Sequence, residues 1–153
     1  MKKGFFIVIL ILFIIMFPNL EKREEIRVRV IPKSNSIVDL QRKKEVKDKL
    51  KEILQEYEIY KSYKELDEAL SKNVEKINEE LGKDVSVTYD YHNFEEKTYD
   101  GNIIDKTNCK TLLVIILDGQ GDNWWGTLYP SFLGIESEEK LTYESYLLKL
   151  IRG

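Results

Sequence analysis

The chain has 153 residues but only one cysteine, one histidine and three prolines. Cys109 has no partner with which to close an internal disulfide, so the fold is held by packing alone. His92 stands without a Gly-x-Ser-x-Gly, His-Glu-x-x-His or Cys-His pattern, which removes the usual nucleophilic and zinc-dependent chemistries. The sequence also has no basic excess. Setting aside Lys2 and Lys3 of the amino-terminal segment leaves 22 basic against 27 acidic residues, a net charge of −5. Neither that total nor any loop offers the cationic face a nucleic acid needs. No small-x-small triplet marks a cleavage site, and no cysteine near the start can take a lipid.

Long apolar stretches are equally scarce, with one exception. Met1-Lys-Lys3 precedes an uninterrupted apolar run from Phe5 to Phe17, which Pro18 ends. The form is that of an export signal or anchor over residues 1–20. Its 13 residues are short for a helix crossing roughly 30 Å of hydrocarbon. The two lysines hold the amino terminus inside and send residues 21–153 outside as a single domain. Whether the leader is cut or stays as an anchor is open.

Within that domain, Ile26 to Ile31 alternates strictly and predicts a strand that Pro32 closes. Ser36-x-x-Asp39 and an apolar stripe of Leu40, Val46, Leu50, Ile53, Leu54 and Tyr57 predict a helix over 37–59. Ser62-x-x-Glu65, a second stripe from Tyr63 to Leu81, and Gly82 predict another over 63–81. Val85 to Tyr91 alternates as a half-buried strand, and Thr111 to Leu117 reads as the central strand, with Trp125 to Tyr129 returning beside it. Ser137 to Ile151 reads as a short terminal helix. The expected fold class is α+β: a small antiparallel or mixed sheet with two to three helices packed on it.

The densest stretch is Gly119-Gln-Gly-Asp-Asn-Trp-Trp-Gly-Thr-Leu-Tyr-Pro130. Its glycines, Asp and Asn predict a tight loop over 118–123 that leads into the two tryptophans. The Asp118-x-Gln120-x-Asp122 spacing fails as a calcium loop, because Asn123 replaces the turn glycine and Tyr129 the bidentate acid. Gly119-x-Gly121 lacks the third glycine and the following helix of a phosphate loop. No metal site and no cofactor is expected. Adjacent residues of a strand point to opposite faces, so one indole is expected to pack and the other to recognise a partner; burial of both by the carboxy-terminal helix is the alternative. Cys109 reads as a small buried hydrophobe.

The order strand, Gly-x-Gly-x-Asn-Trp-Trp, then Leu-aromatic-Pro resembles the stage II sporulation protein R family, as does Arg27-Val-Arg-Val-Ile-Pro-Lys-Ser-Asn-Ser36 with Asp39, Lys43 and Val46-Lys-Asp48. Phe94-x-x-Lys97-x-Tyr99 is a third, weaker block. The chain departs from the family at Arg29, where a histidine is usual, at Leu117, where the glycine-rich loop begins with glycine, and at Gly126 and Leu133, where two cysteines are usual. Their joint absence is what one expects if those cysteines pair with each other in an oxidising compartment.

The resemblance implies an exported, non-enzymatic signal acting between forespore and mother cell. Its partner would be a membrane-embedded aspartic protease that processes a pro-sigma factor. Asn123, Trp124, Trp125, Tyr129 and Pro130 are the residues expected to meet that partner. The alternative is a cell-envelope carbohydrate-binding module stacking sugars on the double tryptophan. A glycosidase using Asp118 and Asp122 ranks third.

Overall fold

The computed structural model describes residues 22–99 and 102–139, together with positions 7 and 9. The apolar run and the expected helix after residue 139 otherwise lie outside the described residues. Among the described residues nine elements follow in chain order: β1 (Lys22–Ile31), α1 (Ile37–Gln55), α2 (Tyr63–Leu81), β2 (Val85–Phe94), β3 (Lys97–Tyr99), β4 (Asn102–Ile104), β5 (Thr107–Ile116), β6 (Asn123–Tyr129) and β7 (Glu136–Glu139).

Five strands form one mixed sheet in the order β2-β5-β1-β6-β7, and β3 pairs with β4 as a separate hairpin. β1 and β5 run parallel at the centre, and the other pairs in the sheet are antiparallel. Alternation decides which side chains meet the helices. Ile26, Val28, Val30, Leu112, Val114 and Ile116 point to one face, where Val46, Leu50, Leu54, Leu66, Leu70 and Ile77 of the helices complete the core. The fold is α+β, with both helices on that face.

Local signals explain the helix ends. Ser36 Oγ accepts from Asp39 N–H at 3.2 Å and Ser62 Oγ from Glu65 N–H at 3.3 Å, each satisfying a first-turn donor. Gly82, at φ 120°, closes α2. α1 ends at Gln55 rather than residue 59, because Glu56, Tyr57 and Glu58 bond three residues back in tightened turns. That tightening still buries Tyr57.

Three expectations need correction. β6 lies beside β1, not beside the β5 strand that precedes it. Leu40 is exposed, and Lys43 occupies the buried side of α1 instead. Ser137 lies in β7, because the segment after Gly134 pairs along the open edge of β6 before any helix can start.

Candidate functional site

The loop between β1 and α1 and the loop between β5 and β6 interlock at the carboxyl ends of the central parallel strands. Gly121 N–H donates to Pro32 O at 2.9 Å and Gln120 N–H to Lys33 O at 3.2 Å. Asn35 grips Asp122 twice, accepting from its backbone N–H at 2.6 Å and donating to Oδ1 at 3.0 Å. The glycines make the approach possible. A Cβ at Gly119 would stand 2.1 Å from Pro32 O, and one at Gly121 2.7 Å from Ser34 O. The Gly-x-Gly loop therefore holds another loop of its own chain, where a phosphate loop would hold a ligand.

Lys43 ties this lock to the sheet edge. Its buried Nζ donates to Asp122 O at 3.0 Å and to Glu138 at 2.6 Å. Lys47 and Lys51 continue along the same helix face to Glu138 and Glu136 of β7, and both lie over the Trp124 ring. Ser34 Oγ donates to Asp39, and that bond holds the Asp39 carboxyl below its usual range. Arg42 forms a two-nitrogen fork to Asp84, with both contacts at 2.8 Å, and lowers the Asp84 carboxyl in the same way.

The two indoles do point to opposite faces, yet neither is presented. Trp124 is 2% exposed among the core residues under the helices. Trp125, 1% exposed, lies on the far face against Phe94, with ring centroids 6.3 Å apart and the Arg27 guanidinium 4.7 Å from its ring centre. Of the two alternatives, burial of both rings is the one that holds. Phe94 and Arg27, itself paired with Glu25 at 2.5 Å, supply the second cover. Asn123 is also buried, and neither of its amide atoms nor Trp125 Nε1 has a hydrogen-bond partner among the described residues.

Tyr129 and Pro130 are the two expected contact residues that reach the surface. A cleft of about 300 Å³ opens beside them, lined by Tyr57, Tyr60 and Phe132 among others. The Tyr129–Pro130 peptide is cis, and the Tyr129 ring meets Tyr63 edge-on at 5.8 Å. Asp118 and Asp122 belong to the interlocked loop, where Asp122 is engaged by Asn35 and Lys43.

Strand pairing also sets His92 opposite Cys109, a neighbourhood invisible in the sequence. Burial pushes the Cys109 thiol up to about 11, and burial together with the Arg29 charge holds His92 below its ordinary value. A thiol so disfavoured as thiolate beside a neutral imidazole is not an activated nucleophile. Among the described residues no cluster of three or more His, Cys, Asp or Glu side chains is placed to hold a metal ion.

The model of the family described as stage II sporulation protein R matches residues 22–139, the whole of the described domain. The chain belongs to that family. No curated protein and no solved structure matches it. Membership of the stage II sporulation protein R family puts the chain in the second stage of sporulation, and it puts the interlocked loops in context. Two of the three blocks that carry the resemblance, Arg27 to Asp48 and Gly119 to Pro130, meet in this one lock.

Proposed function

We propose that the protein is an exported sporulation signal that activates a membrane-embedded aspartic protease of the mother cell, which then processes a pro-sigma factor. The observation that carries this reading is the family match over residues 22–139, a family of signalling proteins rather than enzymes. The basic and apolar leader supports export into the space between forespore and mother cell. The inert Cys109–His92 neighbourhood and the self-engaged Asp122 leave the domain to act by contact. Tyr129 and Pro130, beside the aromatic cleft, are the contact residues this reading retains.

The test is co-production of the chain with the protease and the pro-sigma factor in a non-sporulating host. Cleavage of the precursor is expected only when the chain is exported. Tyr60→Ala, at the cleft, should reduce cleavage while melting stays near that of the parent. Cleavage that proceeds equally without the chain, or with the chain kept in the cytoplasm, overturns the reading. The carbohydrate-binding alternative loses its stacking platform, because both indoles are buried.

A further inference from the structure

Both described helices lie on one face of the sheet, and the other face is only partly closed. β1 and β5 pair in parallel at the centre, where parallel strands are ordinarily covered on both sides and read as continuous apolar runs. Leu112 to Ile116 is such a run. Leu112, Val114 and Ile116 meet the helices, which turns Leu113 and Ile115 to the far face together with Ile31, the partner of Ile115. All three are only half-buried. Nearer the start of β1 the same face is closed: Phe94 and Arg27 lie on Trp125, and Thr111 and Cys109 are fully buried. Past Ile116 the chain leaves the sheet at Leu117, held at φ 49°.

The course of the chain beyond β7 indicates what closes the rest. Glu139 pairs with Asn123, Trp124 with Val30 and Ile31 with Ile115, so Glu139, Asn123, Ile31 and Ile115 follow one another across four neighbouring strands. The chain thus passes beyond Glu139 in the row that holds the half-buried residues. On the helix side of β7 the space is taken, because Lys43 and Lys51 of α1 bond Glu138 and Glu136. The far side is the one open to a segment turning back. Asn123 lies in that row, fully buried with neither amide atom partnered among the described residues, so it too calls for a neighbour there. After a turn over 140–142, Tyr143, Tyr146, Leu147, Leu150 and Ile151 recur at i, i+3, i+4, i+7 and i+8, the spacing of one helix face. Thr142, Ser145, Lys149 and Arg152 fall on the opposite one. A helix over 143–151 spans about 14 Å, and the three strand spacings from β7 to β5 are also about 14 Å. Attachment decides between occupants. A segment tethered at the rim meets this face at an effective concentration on the order of millimolar, whereas a second copy or a separate protein must bind from solution.

We propose that residues 143–151 form an amphipathic helix that packs on the far face of the sheet over Leu113, Ile115 and Ile31, giving the domain a third layer. The contact holds whatever protein receives the signal, and its test contains no protease.

Full-length chains carrying Ile115→Cys together with Tyr143→Cys, Leu147→Cys or Ile151→Cys are oxidised at low concentration and weighed by mass spectrometry. Cys109, fully buried, stays out of the exchange. At least one of the three pairs is expected to close a bridge within the chain. Ser71→Cys, on the exposed side of α2, is expected to close none with the same three partners. Leu113→Cys replaces Ile115→Cys if that variant melts early. In a second measurement, Leu147→Asp with Ile151→Asp should speed maleimide labelling of the Ile115→Cys thiol about tenfold and leave labelling of Ser71→Cys unchanged. The proposal is overturned if no pair bridges more than the Ser71→Cys reference, if bridges form only between two chains, or if the aspartates leave the labelling rate at 115 as it was.

Discussion

Gly126 faces Leu133: a Cβ added at Gly126 would stand 3.1 Å from Leu133 Cδ2. These are the two positions at which the family usually carries cysteines. The leucine side chain reaches over the glycine and fills space on one side of the β6–β7 turn. A joint Gly126→Cys and Leu133→Cys variant should therefore form a bridge on oxidation. For a loop of this size, the oxidised form should exceed its own reduced form by about 2 kcal/mol. Paired melts with and without reductant read the difference. Identical melts with two free thiols by mass would contradict the pairing.

Leu117 offers the reverse experiment, because the family's glycine is the residue its backbone favours. Leu117→Gly should relieve the left-handed strain and raise unfolding free energy by about 1 kcal/mol. Leu117→Val, β-branched at the same φ, should lower it by a similar amount. Urea titrations of the two variants must move in opposite directions.

The loop lock predicts strong intolerance of a single methyl group. Gly119→Ala and Gly121→Ala each drive a Cβ into the backbone of the Pro32–Ser34 segment and should cost about 3 kcal/mol. Gly82→Ala, strained by its φ but free of backbone collision, should cost less. Chemical denaturation ranks the three.

Both tryptophans are core. Truncation of either to Ala should lower stability by about 3 to 5 kcal/mol, and the parent protein's fluorescence should be blue and resistant to iodide. A variant at either position that keeps the parent melting point would show that its ring is not packed as described.

Acid should weaken the Arg42–Asp84 contact. The folded Asp84 pKa lies below its ordinary value, so the stabilisation is complete above the unfolded carboxyl pKa, near 3.8, and fades as pH falls through the lowered folded value. In Asp84→Asn the loss of stability between pH 5 and 2 should be shallower than in the parent, as read by melts across that range.

Much of this architecture is legible in the amino-acid sequence. α2 was legible from end to end, because Ser62, the apolar stripe and Gly82 are local signals that no distant contact opposes. The glycine loop was legible as a turn but not as a lock, since its partner loop lies more than 80 residues earlier. Alternation placed Trp124 and Trp125 on opposite faces, but it cannot say that Phe94 and Arg27 cover the second one. Lys43 stands in a motif block, but its burial is not legible there, because a lysine on an apolar helix face reads as solvent-exposed until Asp122 O and Glu138 meet its Nζ. β7 escaped because Glu136 to Glu139 has no strand pattern of its own.

The direction of β1 has a consequence for how the molecule stands between two surfaces. The chain enters this strand at Lys22 and leaves it at Ile31, beside the Ile37–Leu117 end. Ten extended residues separate those points by roughly 30 Å. Anything that holds the chain upstream of Lys22 grips one pole, and the exposed aliphatic residues occupy the other. A contact made at the Lys22 end of the strand therefore leaves the side chains of Ile37, Val38 and Leu117 open to a separate one.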